Sequence, residues 1–384
     1  MSDSNVTISP LGNASRAELK KLCQALWDWR YCSRCNDGEP CQMSKCPWQR
    51  SDKLEPFFDF YRKVTAWHIA EVPGGGEYAL RGHDDLFSIV RLIKQKSDVP
   101  RSILTEEFFS QYDRKPNMAE QHRAFDLAVR IMSMLNCSIG DQSLNRLELG
   151  LDLTIWANDK TYREFIENAF SFKAPPILHE NGLLSEIEAR LNAIQLKKVA
   201  KIKFQGTDDL KNHLKLDTDT GILQLFHHVT FLREHLLATQ DKIPGSAVVQ
   251  RVILPRQLAL ETHDSLEILF PSGHDSVQLL RSLASQKSLD FDYPAFGRME
   301  YRREDESEAV YCYWGHRLFE LYEELKEPRP RGIFHWVQER TKKRHFMMLT
   351  IAGVLFAVLS LAVSVFSAWV SYQQWKHPVN NSNP

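Results

Sequence analysis

The sequence lacks every short motif that would name a reaction. It holds no Gly-x-Ser-x-Gly, no Gly-x-Gly-x-x-Gly, no Gly-Lys-Ser/Thr phosphate loop, no kinase set and no His-Glu-x-x-His. The Pro-Gly-Gly-Gly stretch at 73–76 is therefore read as a helix breaker and not as a phosphate cradle. Charge of one sign is also missing: 48 Lys and Arg face 49 Asp and Glu, a net charge of −1. A molecule so balanced has no field to draw in nucleic acid, and no nucleic-acid partner is expected. Cysteine is scarce, and its odd count of seven argues against a disulfide framework. The first thirty residues carry no basic-then-apolar signal segment, so membrane targeting is expected from the C-terminal end alone. There is no internal repeat and no low-complexity tract.

What is present is one long apolar run. Phe346 to Val370 contains no charged residue. As a helix it would be about 37 Å long at ~1.5 Å per residue, enough to cross a hydrocarbon core of about 30 Å with some tilt. Arg340, Lys342, Lys343 and Arg344 precede the run, and only Lys376 and His377 follow it. That excess of Lys and Arg puts the N-terminal domain in the cytosol and the tail 371–384 across the membrane. Such a helix favours the endoplasmic reticulum or secretory membranes over the mitochondrial outer membrane. Trp336, Phe346, Trp369, Tyr372 and Trp375 fit two interfacial aromatic belts. Gly353, Ala357, Ser360, Ser364 and Ser367 recur at steps of four and three, on one helix face. The stripe is either ordinary membrane-helix composition or a packing face for a homo-oligomer. The basic segment 328–345 either sets topology only or also draws the domain to anionic headgroups.

Cys32, Cys35, Cys41 and Cys46 lie in the sequence CSRCNDGEPCQMSKC. Two pairs of thiolates at this spacing can close a tetrahedral metal site, and Asn36, Asp37, Gly38 and Pro40 suit the tight loop between them. One structural zinc is the cofactor this implies. Reduced cysteines packed among Trp27, Trp29, Tyr31 and Trp48, or a redox-sensitive pair, remain alternatives. No catalytic residue is assigned. The nearest candidates are His213, His227, His228 and His235, beside Asp208, Asp209, Asp217 and Asp219. A hairpin there would let His213 and His227 approach across strands, while the adjacent His227 and His228 would face opposite ways. Of four glycosylation sequons, at Asn5, Asn13, Asn136 and Asn380, only Asn380 would lie beyond the membrane.

Periodicity predicts a mainly α protein with minor β: a helical cytosolic domain, a small β-hairpin element and one C-terminal transmembrane helix. Residues 1–15 are read as disordered, 16–53 as a helix plus the Cys-rich loop, and 54–172 as a helical subdomain. A second helical subdomain, 173–327, holds the hairpin near 201–228. The basic linker 328–345, the span 346–370 and the tail 371–384 complete the chain. Helices are expected to start at Arg16 (capped by Ser15), Leu54, His83, Asn117, Tyr162, Ser185, Val229, Leu258, Ser276 and Tyr311. Thr207 is read as the cap of a short helix through His213.

Five blocks carry a resemblance: HRAFDLAVRIMSMLNCS (122–138), LKKVAKIKFQGTDDLKNHLKLD (196–217), LFHHVTFLREHL (225–236), LPRQLALETHDSLEILFP (254–271) and the ending from YWGHRLFELYEEL to WVSYQQWKHP. Together they resemble a family of filamentous-fungal proteins of unknown function that end in one membrane helix. The resemblance implies a fungal source and the anchor, and leaves the activity open. With no catalytic motif in the chain, the function expected is a tail-anchored, non-enzymatic protein that binds another protein at a membrane surface. The alternatives are a metal-dependent enzyme using the 213–235 region and a zinc-containing binding module built on the cysteine loop.

Overall fold

The computed structural model describes residues 10–33, 35, 41, 46–68, 77–139, 153–170, 182–240, 253–285, 301–306, 311–329, 356–373 and 376. The protein is mainly helical with minor β structure. Two compact units divide after Pro328, Met1–Pro328 and Arg329–Pro384. The first takes in both stretches read as separate subdomains. Arg340, Lys342, Lys343, Arg344, Gly353 and Asn380 lie outside the described residues, as do residues 173–181 of the loop that Pro175, Pro176 and Gly182 predict over 173–182.

The first helix, α1 (Arg16–Trp27), starts where Ser15 accepts from Glu18 N–H and the Glu18 carboxylate answers Ser15 N–H, a complete capping box. A 3-10 helix (Pro47–Leu54) leads directly into α2 (Glu55–Ala66). α2 is shorter than the stretch to Val72 read from the sequence. α3 (His83–Gln95), α4 (Arg101–Phe109) and α5 (Met118–Ser133) follow, and α3 packs between α1 and α5. Asn117 caps α5 by accepting from Glu120 N–H. Helix α4 was not anticipated, because its apolar residues do not fall on one face. It is held by Arg101, which is wholly buried and bonds Asp126 and the carbonyls of His122 and Trp156.

Two short parallel strands, β1 (Cys137–Ser138) and β2 (Thr154–Ile155), precede α6 (Tyr162–Ala169). The helix expected over 185–200 is two, α7 (Leu183–Arg190) and α8 (Ala193–Lys198). Asn192 explains the break, since its side chain accepts from Gln195 N–H and starts a new helix. The expected hairpin is present as β4 (Lys215–Asp217) and β5 (Ile222–Phe226). Its turn is tied by Asp217, whose Oδ1 accepts from Asp219 and Thr220 N–H. Gly221 closes the turn at φ +71°, a left-handed conformation suited to glycine.

The third strand, β3 (Lys203–Thr207), pairs with β5 in parallel, giving the order β3-β5-β4. Only a 3-10 turn (Leu210–Asn212) lies between β3 and β4, and Asp209, not Thr207, caps it. Next come α9 (Val229–Ala238), α10 (Arg256–Leu269), α11 (His274–Ser285) and α12 (Gly315–Lys326). Glu261 pins the start of α12: its carboxylate accepts from the N–H groups of Cys312, Tyr313 and Trp314. One continuous core joins these elements, including Leu22, Trp48, Phe57, Phe87, Phe125, Leu223, Phe231 and Leu321.

In the second unit, Phe356–Gln373 is a helix of 18 residues with mean hydropathy 1.5, long and apolar enough to cross a membrane. Its Phe356, Leu361 and Phe366 side chains are 80%, 68% and 65% exposed.

Candidate metal centre

Asp28 ends α1 in the left-handed conformation, and Trp29–Tyr31 carry the chain to Cys32. Cys35 N–H donates to the Cys32 carbonyl at 3.2 Å, a tight turn that puts both thiols on one side. Pro47 then starts the 3-10 helix and fixes Cys46 as the residue before it. The four Sγ atoms of Cys32, Cys35, Cys41 and Cys46 all lie within 4.8 Å of one another. Cys32 and Cys41 are 3.4 Å apart, Cys35 and Cys46 3.8 Å. Thiolates at about 2.3 Å from a central zinc sit about 3.8 Å apart along the tetrahedron's edges. Disulfide sulfurs would be about 2.05 Å apart, and all seven cysteines are free thiols. The donor set therefore fits a tetrahedral soft-metal site.

Its electrostatics fit as well. Burial pushes the Cys46 thiol up, but the backbone N–H groups of Cys32 and Trp48, with the thiols of Cys41 and Cys35, outweigh it and bring the pKa to about 7. Cys35 goes the other way, to about 12, through burial and the thiols of Cys46 and Cys41. The first thiolate forms readily and the next is opposed by it. A divalent cation at the centre removes that opposition. Four thiolates around Zn²⁺ leave a charge of −2, and two cations stand close. Lys20 donates to the Cys35 carbonyl at 3.3 Å and lies over the Trp48 and Tyr31 rings. Arg50 stacks on Trp29 and makes a two-pronged pair with Glu234 on α9, both contacts at 2.7 Å. The aromatic residues that the sequence offered as an alternative to a metal site are its walls: Tyr31 meets Trp48 edge-on at 6.0 Å, and Trp29 meets both.

The histidines separate into two kinds. His213 is buried; its Nδ1 accepts from Phe226 N–H, so its Nε2–H donates to Ser265 Oγ at 2.8 Å. Arg317 donates to its carbonyl oxygen. Burial and then Arg317 hold its pKa far below the ordinary value. His235 donates to the Leu254 carbonyl at 2.9 Å, and burial lowers its pKa to about 4. Both are neutral packing groups. The expected approach of His213 to His227 is thus corrected, since His213 is taken up by Phe226 and Ser265. His227 and His228 bring their Nε2 atoms to one oxygen, Asp208 Oδ1, each at 2.9 Å. The expectation of opposite faces also fails, because β5 ends at Phe226 and the two histidines lie beyond the pleat. Burial would raise Asp208, yet the two imidazoles hold its carboxyl well below the usual carboxylate range.

A third group, His263, Asp264 and Glu267 on α10, was not singled out from the sequence. Its one signal was three potential ligands within a single helical turn. Tyr301 bonds His263 at 2.7 Å and Arg302 bonds Asp264, so this group is used in packing. Asn136, one of the four sequon residues, donates to Asp209 at 2.8 Å. On the apolar helix the Ser360 and Ser364 hydroxyls donate back to the carbonyls of Ala357 and Ser360. No family model, curated protein or solved structure matches this chain.

Proposed function

We propose that this chain is a tail-anchored membrane protein whose helical domain is stapled by one structural zinc and binds a partner protein at the cytosolic surface, without catalysing a reaction. The observation that carries this is the Phe356–Gln373 helix. Its large apolar side chains, Phe356, Leu361 and Phe366 among them, are exposed, and lipid is the solvent that suits them. The Lys/Arg excess before the run supports a cytosolic domain and a secretory or endoplasmic-reticulum membrane. The same basic residues suit anionic headgroups. A cytosolic domain keeps its thiols reduced, and four thiols at tetrahedral spacing then serve zinc better than disulfides. The small face at Ala357, Ser360, Ser364 and Ser367 suits close approach of a second copy. The fungal resemblance agrees with the anchor.

Two measurements test the reading. Protease added to intact vesicles digests the domain if it is cytosolic, and protection until the vesicles are permeabilised would reverse the topology. Proximity labelling from the N-terminus then names the neighbours. Recovery of substrate-processing enzymes alone, with no recurrent partner, would count against a scaffold.

A further inference from the structure

Separately from the thiol site, the end of the small sheet holds a second convergence of potential metal ligands. Thr207 and Phe226 are the last register partners of the parallel β3–β5 pair. The next residues along each strand are Asp208 and His227, so parallel pairing delivers them side by side. His228 follows and is wedged between Phe60 of α2 and Phe226, with ring centroids at 5.4 and 5.7 Å. One ligand atom from each of Asp208, His227 and His228 lies within 4.8 Å of the other two, and both Nε2 atoms stand 2.9 Å from Asp208 Oδ1. The imidazole rings are held 4.4 Å apart at 47°.

We infer that Asp208, His227 and His228 form a second metal site, for a divalent transition ion held by one carboxylate oxygen and two imidazole nitrogens.

Ligand chemistry selects the ion class. Two imidazoles and a carboxylate suit Zn²⁺, Co²⁺, Ni²⁺ or Cu²⁺ over Ca²⁺ or Mg²⁺, which prefer all-oxygen sites. Ligand atoms at about 2.0–2.1 Å from a tetrahedral ion are about 3.3 Å apart. The observed 2.9 Å contacts need to open by only a few tenths of an ångström. Asp208 is 33% exposed and His227 14%, so the carboxylate edge gives an ion a way in. The same edge leaves room for water as a fourth ligand, the composition of an exchangeable site and not of a closed structural one.

Lys63 on α2 is a cation that stands close to the site. Its Nζ lies 3.6 Å from Asp208 Oδ2, and the side chain is half exposed and lies along the Trp67 ring. The contact is loose enough for Lys63 to swing away. Until it does, it competes with the metal for the same carboxylate. This makes a prediction of opposite sign to ligand removal: shortening the charge out of Lys63 should tighten the site.

The test is Co²⁺ titration of the purified full-length chain in detergent after chelation. A thiolate site gives an intense sulfur-to-cobalt charge-transfer band, whereas a nitrogen and oxygen site gives only weak ligand-field bands. Two equivalents are expected, one of each kind. His227→Ala should weaken the second by more than about 100-fold and leave the charge-transfer equivalent unchanged. Asp208→Asn, which keeps the shape and covers the case in which the histidine variant fails to fold, should weaken it by at least about tenfold. Lys63→Met should tighten it by about tenfold. A single, charge-transfer equivalent, or a second equivalent indifferent to Asp208→Asn, overturns the proposal. Loss of the charge-transfer equivalent with the second retained instead removes the thiol site and leaves this one standing.

Discussion

Single residues in this protein are placed by what burial does to charge. His235 is the clearest case. It is buried, neutral and bonded through Nε2 to the Leu254 carbonyl, with a pKa of about 4 against about 6.5 in an unfolded chain. Between those values the unfolded state takes up a proton that the folded state refuses. Its contribution is therefore complete above pH 6.5 and is lost as pH falls toward 4, at up to about 1.4 kcal/mol per pH unit. Glu261 and Asp209, pushed up by burial to about 7 and about 6, titrate with the opposite sign in the same window. The effect is consequently read as a difference. Denaturant unfolding of wild type and His235→Gln should show the wild-type advantage shrinking from pH 7.5 to 4.5, and a constant gap would refute the assignment. The sequence pointed to the histidines of this region without sorting them. Sorting needs burial and partners, and those come from α10 and the 253–254 segment, distant in the chain.

At the level of elements, the 3-10 helix Pro47–Leu54 does the joining. It begins just after Cys46 of the four-thiol cluster, buries Trp48 completely and sends Arg50 to Glu234. Glu234 is 1% exposed, so removing its partner strands a charge in the core. Arg50→Met should cost about 3 kcal/mol, and adding Glu234→Gln should recover part of it. Equal losses for the single and double variants would mean the pair is not what holds this helix. A smaller test concerns α8: Asn192→Ala should cost about 1 kcal/mol, because Gln195 N–H loses its acceptor. Periodicity and capping residues revealed α1, α3, α5, α6 and α9 with ends within a few residues. α4 was missed because Arg101 buries itself by bonding across to α5 and Trp156, a stabilisation that leaves no apolar stripe. The β3–β5 pairing was missed for a similar reason, since alternation marks strands and does not say which neighbour each will choose.

For the whole molecule the contrast is between a first unit with a buried core and a second unit whose helix is long and apolar enough to cross a membrane. A chain ending at Pro328 should leave the membrane pellet in alkaline extraction, whereas the full chain should stay; a truncated chain that remains would move the anchor elsewhere. The proposed zinc site belongs to the first unit. Since ligand binding to the folded state alone is stabilising, stripping zinc should lower the unfolding temperature of the full chain, and re-adding one equivalent should restore it. The Cys32→Ser/Cys46→Ser variant should show the lower temperature with or without zinc. An unfolding temperature indifferent to chelation would leave packed thiols as the better account of the cysteine loop.

The sequence by itself determined the membrane-length apolar helix, the order of most helices, the β4–β5 hairpin and the four cysteines at ligand spacing. These features are local: hydrophobic runs, caps, turns and short loops act within a few residues of one another. Only the tertiary structure decided that the four thiols converge, that Arg50 ties their loop to α9, and that Asp208 receives both His227 and His228 while His213 stays inert. Those arrangements depend on chain segments up to 184 residues apart being packed together. No spacing along the chain records which buried charge will meet which partner.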